Sequence, residues 1–296
     1  MKKVVSFVLM FLVMGLALIS LTSCGDSSEL CIVHFDQSIL GDNQKDLSVS
    51  VGIKKSDSEL ESAINSALST LTTDKRNELM IAATERSALE NPVSVEGEKI
   101  LYTAPYDSSL KTLTVGLECN YAPFNWTDTT ASSYSYPISG TTNLYADGYD
   151  IQVAKYLASK MGYNLVIVKL EWDALIPALE VGTINAVIAG MTDTEERRQS
   201  ISFSDPYYTS ELVLVVKANS KYASATSLED FRSATFVSQI STVTDSIIDT
   251  WVISYGVVHQ TALKDFATCA MSVRSGSSDC MTAELPVATS IVTGVN

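Results

Sequence analysis

Ile184-Asn-Ala-Val-Ile-Ala189-Gly-Met-Thr192-Asp-Thr-Glu195-Glu-Arg197-Arg198 runs from a largely apolar, β-branched stretch into polar residues with the spacing of a capping box. It predicts a strand followed by a helix that opens at Thr192. Arg197 then falls close to the helix start, where partial positive charge and unpaired N–H groups disfavour a cation unless an anion joins it. A carboxylate satisfies both needs. An arginine fork grips it with charge-assisted hydrogen bonds, and Thr192 with nearby backbone N–H groups covers the remaining lone pairs. The competing reading is a capped surface helix in which Arg197 pairs with Asp193 or Glu196.

Strand and helix alternate on either side of this segment, the pattern of an α/β architecture. Leu113, Val115 and Leu117 alternate as a strand, residues 151–161 have helical spacing and close at Gly162, and residues 164–168 form a second strand. A short helix over 175–179 ends at Gly182. Further strands are expected at 212–216, 235–237 and 279–283, separated by helices near 245–252 and 263–273.

The amino-terminal part reads as a strand at 30–35, an alternating strand through Leu47, Val49, Val51 and Ile53, and a helix capped at Ser56. That helix places Leu60, Ile64, Ala67, Leu68 and Leu71 on one face. Another helix is expected from Asp74 to about Ala83. Residues 85–111, with Pro92, Gly97, Pro105 and several serines, read as a linker.

Met-Lys-Lys followed by the apolar run 4–21 has the form of a secretory leader. Its end, Leu21-Thr-Ser-Cys24-Gly, resembles the lipobox of bacterial lipoproteins, in which Cys24 becomes the lipidated first residue; the alternative is a plain membrane anchor. Loss of residues 1–23 takes Lys2 and Lys3 with it and moves the net charge from −14 to −16. So acidic a chain without clustered Lys and Arg makes nucleic acid an unsuitable partner. Cys31, Cys119, Cys269 and Cys280 show no C-x-x-C spacing, which argues against zinc. Outside the cytoplasm disulfides are permitted, with Cys269 and Cys280 the best candidate pair and buried free thiols the open alternative.

Tyr121-Ala-Pro-Phe124, Gly148-Tyr-Asp150, Trp172-Asp-Ala-Leu-Ile-Pro-Ala-Leu179, Gly190-Met-Thr192 to Arg197 and Phe203-Ser-Asp-Pro-Tyr-Tyr208 follow one another at domain-like spacing. Together they resemble the polar amino-acid-binding proteins of bacterial ABC importers, solute-binding protein family 3, over most of residues 112–296. The resemblance implies a type II periplasmic-binding-protein-like fold: two α/β lobes, joined by two hinge strands, that close on a free amino acid. It places Arg197 on the ligand's α-carboxylate, helped by Thr192 and the backbone of Ala189, Gly190 and Met191. Tyr121 and Trp172 become aromatic walls. The second-lobe turn Gln239-Ile-Ser241-Thr242 supplies Thr242 to the carboxylate, and Glu284 faces the α-ammonium group. Glu118, three residues before Tyr121, is positioned to reach a distal cation, favouring a basic ligand; a glutamine-like ligand and a surface role for Glu118 stay open. Ile240 stands where many relatives have glycine, and Glu284 where aspartate is commoner.

Relatives follow the segment matching Glu284-Leu-Pro-Val-Ala288 with a strand, a returning hinge strand and a helix. Here those pieces resemble residues 30–83, which implies a circular permutation. Lobe one then comprises 53–84 and 112–209, lobe two 30–48 and 212–296, and residues 85–111 join the usual termini. The rival is a fusion in which residues 25–100 are a remnant of a neighbouring copy. No catalytic motif and no cofactor or metal signature stands in the sequence. The expected protein is a monomer outside the cytoplasm, held to the membrane by lipidated Cys24 and delivering a free amino acid to an ABC importer permease. The alternatives are an extracytoplasmic enzyme, with Glu118 and Glu284 as acid and base, or a ligand sensor on the same fold.

Overall fold

A computed structural model describes residues 30–40, 47–88 and 97–294. Its strands are β1 (Leu30–Val33), β2 (Leu47–Lys54), β3 (Thr112–Leu117), β4 (Asn120–Tyr121), β5 (Asn125–Asp128), β6 (Tyr136–Pro137), β7 (Tyr145–Asp147), β8 (Asn164–Lys169), β9 (Ala186–Val187), β10 (Ile201–Ser210), β11 (Leu212–Lys217), β12 (Thr235–Val237), β13 (Val258–His259) and β14 (Cys280–Glu284). The helices are α1 (Ser58–Leu68), α2 (Thr73–Ser87), α3 (Tyr149–Met161), α4 (Leu175–Val181), α5 (Val243–Tyr255), α6 (Phe266–Ser275) and α7 (Leu285–Thr293). The leader and Cys24 lie outside the described residues.

Two mixed sheets form the frame, ordered β10-β2-β9-β3-β8 in lobe one and β1-β11-β14-β12-β13 in lobe two, and a small sheet ordered β4-β5-β7-β6 joins lobe one. Each large sheet combines two antiparallel pairings with two parallel ones. Residues 30–54 therefore place one strand in each sheet. β1 pairs with β11, which separates it from β14, while β2 lies between β10 and β9. The chain passes between lobes directly at Glu211, between β10 and β11, and again between β1 and β2.

Local chemistry explains most of these elements. Leu212 to Val216 are all buried, because α-helices cover both faces of their sheet. Val213 and Val215 join the larger core, while Leu212, Leu214 and Val216 join a second one around Phe236 and Trp251. Leu47, Val49, Val51 and Ile53 are buried along β2. α1 is capped by Asp57, whose carboxylate accepts from Leu60 N–H at 3.1 Å, one residue beyond the expected Ser56. α3 and α4 close at left-handed Gly162 and Gly182 as expected. α2 continues to Ser87, so the linker begins later than residue 85.

Two expectations are overturned. No helix opens at Thr192; the segment makes only a 3-10 turn, Arg197–Gln199, and the expected strand 184–189 shrinks to β9. The Thr192 carbonyl, which a helix would give to a backbone N–H one turn on, instead accepts from Arg197 Nη1 at 2.7 Å. Thr192 also bridges Val49 of β2, which holds it extended. Nor is Cys269 bonded to Cys280. None of the four described cysteines is in a disulfide, and Cys269 and Cys280 belong to separate cores on opposite faces of the second sheet.

Candidate functional site

Side chains at the carboxyl ends of the parallel strands converge between the lobes, the usual place for a ligand in an open α/β sheet. Glu118, Tyr121, Trp172, Gly190, Thr192 and Arg197 of lobe one face Gln239, Thr242, Val243, Phe266 and Glu284 of lobe two. They enclose a cleft of about 300 Å³, its solvent-facing mouth included. Eight of the expected site residues are thus brought together. Ala189 and Met191 lie behind the wall and are buried in the core, and Ser241 contributes its carbonyl from the cleft's edge.

Arg197 points across the cleft. Its Nη1 donates to Thr192 O, its Nη2 donates to Ser241 O of the other lobe at 3.1 Å, and its guanidinium lies 5.3 Å from the centre of the Trp172 ring. Burial lowers its pKa to about 10, against the opposing pull of Glu196 and Glu284, and it stays charged at neutral pH. The surface reading fails for this residue: Arg198, not Arg197, forms the ion pair with Asp193. Ser241 adopts φ 61°, which turns its carbonyl toward both Arg197 and Trp172 Nε1, the latter donating at 3.3 Å.

Tyr121 stacks on Phe124 with ring centres 5.1 Å apart and meets Phe266 at 5.0 Å. Its hydroxyl donates to Glu284 Oε2 at 2.6 Å, and burial lifts the Glu284 carboxyl above the usual range, against Tyr121's hydrogen bond and the Arg197 charge. A side chain at position 190 is impossible beside that ring: Gly190 has φ +60°, and a Cβ would stand 2.6 Å from Tyr121 Cε1. Gly190 N–H donates to the Tyr207 hydroxyl at 3.0 Å, so it is not a free donor for a ligand carboxylate. Tyr207 in turn donates to buried Asp150 at 2.7 Å.

Thr242 lines the cleft but also acts as the N-cap of α5. Its hydroxyl accepts from Asp245 N–H at 3.1 Å and donates to Gln239 O at 2.6 Å. Glu118 is 7% exposed; its Oε2 accepts from Gln239 Nε2 at 3.0 Å, and its Oε1 has no partner. Burial raises this carboxyl to about 7. Gln239, Val243 and Phe266 were not singled out from the sequence as site residues. Gln239 was visible only as the head of a turn, and its bond to Glu118 spans 121 positions.

A half-buried guanidinium on one lobe and a buried carboxyl on the other, bonded to different partners, line the same cleft. Comparison with known proteins agrees with this geometry. The chain is 31% identical to the arginine-binding extracellular protein ArtP of Bacillus subtilis over 46% of this chain and 47% of that protein. It is 32% identical to a probable histidine-binding protein of Campylobacter jejuni over 51% of this chain and 50% of that one. It thus spans about half the length of the curated relatives it matches. Among solved structures it resembles an ancestral amino-acid-binding protein, a precursor of cyclohexadienyl dehydratase, with TM-score 0.50 and 30% identity over 60% of this chain and 72% of that one. The family model for bacterial extracellular solute-binding proteins, family 3, matches residues 113–285, more than half of the chain. With two α/β lobes, a cleft between them and this match, the chain belongs to the family 3 bacterial extracellular solute-binding proteins.

Proposed function

We propose that this protein works outside the cytoplasm, where it closes its lobes on a free polar amino acid, with a basic one favoured, and delivers it to the permease of an ABC importer. The observation that carries this reading is the placement of Arg197 from one lobe and Glu284 from the other around one cleft. In the ligand-bound form the carboxylate takes the guanidinium and the ammonium takes Glu284, each replacing a hydrogen bond the cleft now makes with itself. The names of the arginine- and histidine-binding relatives support the basic preference, as does the unpartnered oxygen of Glu118. Binding without turnover fits the cleft: Tyr121 holds Glu284 and Gln239 holds Glu118, which ties both candidate acid–base groups to recognition. Calorimetric titration of the chain against the standard amino acids is expected to show binding of arginine, lysine or histidine. Absence of binding by all of them overturns the proposal.

The anchor and the chain order belong to the same proposal. Cys24 is lipidated, the tether leads into lobe two through β1, and the monomer stays at the membrane. The circular permutation is supported by strand order: β1 extends the second sheet, β2 is interior to the first, and the family match begins only at residue 113. Deleting residues 30–88 is expected to abolish cooperative thermal unfolding, because lobe one's sheet loses the strand between β10 and β9. A deletion variant that still melts cooperatively and binds an amino acid would favour the fusion-remnant account.

A further inference from the structure

We propose that Gln239 is a specificity-determining residue: by holding Glu118 Oε2 across the closed cleft, it presents Oε1 alone to the ligand, and a cationic far end binds there in exchange for one proton from Glu118. This rests on the amino-acid-binding reading and adds to it how charge is chosen.

Gln239 Nε2 has two N–H groups, and both are committed. One goes to Glu118 Oε2 at 3.0 Å and the other to Lys264 O at 3.0 Å, so the amide cannot turn toward a ligand. Glu118 follows β3 in lobe one and Gln239 follows β12 in lobe two, so their bond exists only when the lobes are together. Closure therefore completes the charge-selecting subsite. Glu118 Oε1, buried and without a hydrogen-bond partner, is the acceptor left over. A buried polar atom in that state is costly unless something satisfies it. In the ligand-free form a proton does so in part, by neutralising the carboxyl; in the bound form a guanidinium or ammonium does so fully.

The charges around Glu118 favour the same exchange. Asp265, the cap of α6, and Glu171, at the end of β8's loop, both disfavour its ionised form, while Lys169 of β8 favours it. The Lys264 ammonium, 77% exposed, sits 3.2 Å from Asp265 and offsets part of that carboxylate's influence. Cys119 and Tyr121, beside Glu118 on its own lobe, stay protonated because burial raises both. Arg197 and Glu284 line the same cleft and are assigned to the ligand's main chain in the proposed reading. Glu118 alone among these lining groups combines a pKa of about 7 with an oxygen left unpaired.

The sign follows from linkage. A ligand cation favours ionised Glu118, so binding strengthens as pH rises through about 7 and weakens below it. Calorimetry of the full chain with L-arginine, in two buffers of different ionisation enthalpy, is expected to give affinity about tenfold weaker at pH 6 than at pH 8, with close to one proton released at the lower pH. L-glutamine shares the main chain but has a neutral far end, so it reports any proton moved at Glu284. Its affinity is expected to change less than about threefold over the same range. Glu118→Gln is expected to remove the pH dependence for arginine. Gln239→Leu is expected to shift the arginine profile to higher pH and weaken arginine about tenfold, sparing glutamine, because the lost bond had favoured the ionised carboxyl. A purely structural Gln239 would weaken both ligands alike and leave the profile in place.

Arginine affinity that is flat with pH and accompanied by no proton release overturns the exchange while leaving amino-acid capture standing. A Gln239→Leu variant that weakens both ligands equally overturns the role of Gln239. Absence of binding by any standard amino acid at any pH overturns both this inference and the functional reading beneath it.

Discussion

Replacing Arg197 with alanine is expected to weaken binding of every amino-acid ligand by at least about 100-fold, roughly 3 kcal/mol, because the cation proposed to hold the carboxylate is lost. The fold should survive. Arg197 lies on a 3-10 turn rather than inside a helix, and its two bonds go to backbone carbonyls, Thr192 O and Ser241 O, that water can satisfy once the side chain is gone. Its pKa, lowered to about 10 by burial, is the signature of a cation held at a desolvation cost. Removing it is therefore expected to leave the melting temperature unchanged or slightly higher, as is common for residues that serve a ligand rather than the core. Arg197→Lys keeps the charge but not the fork and should recover only part of the affinity. Calorimetry and a thermal melt on the same preparations decide it: unchanged affinity in the alanine variant removes Arg197 from the site.

Much of this arrangement is legible in the sequence, and the reasons differ by element. Strands such as β11 and β2 declare themselves because burial on both faces, or strict alternation, leaves a period that survives tertiary context. α3 and α4 were legible at their ends because Gly162 and Gly182 supply the left-handed closure few other residues tolerate. The capping box at Thr192 was a real local signal that lost to long-range contacts. Val49 pairs with Thr192, and Arg197 takes the carbonyl that a first helical turn requires. The small sheet of β4 to β7 escaped notice because its strands are two to four residues long, too short to carry a period. α7 was legible only as the segment after Glu284.

The site divides along similar lines. Arg197, Tyr121, Trp172 and Glu284 were assigned from the family resemblance, and all four line one cleft. Gln239 and Phe266 act through partners on the other lobe, Glu118 and Tyr121, and local sequence does not encode which residues will be opposed when the lobes meet. The same limit applies to the backbone. Gly190 was expected to donate to a carboxylate, but its N–H is held by Tyr207, whose own orientation depends on Asp150 behind the wall. The Cys269–Cys280 expectation failed for a related reason, since spacing along the chain says nothing about the face of a sheet on which a side chain lands.

The largest stability effect of a single substitution is expected at Arg86, which does not line the cleft. This side chain is 1% exposed; its Nη2 donates to Asp147 Oδ1 at 2.8 Å, its Nε donates to Asp147 Oδ2 at 3.3 Å, and its Nη1 donates to Ala82 O at 2.9 Å. The guanidinium also lies 4.0 Å from the centre of the Tyr134 ring, whose hydroxyl bonds the backbone of Gly97. Arg86 thereby fastens the end of α2 to β7 and, through Tyr134, to residue 97, in the segment where the proposed permutation joins the usual termini. Arg86→Met keeps much of the volume but leaves Asp147 buried without its cation, a change expected to cost about 3–5 kcal/mol. For a chain of this size each kcal/mol moves the melting temperature by roughly 2–4 °C, so a drop on the order of 10 °C is expected. Adding Asp147→Asn should return part of that loss, because the double variant no longer buries an uncompensated charge. Amino-acid affinity measured well below the melting temperature should stay within about threefold of the parent, since neither residue lines the cleft. A single variant that melts within about 2 °C of the parent would show that the pair is not what holds α2 in place.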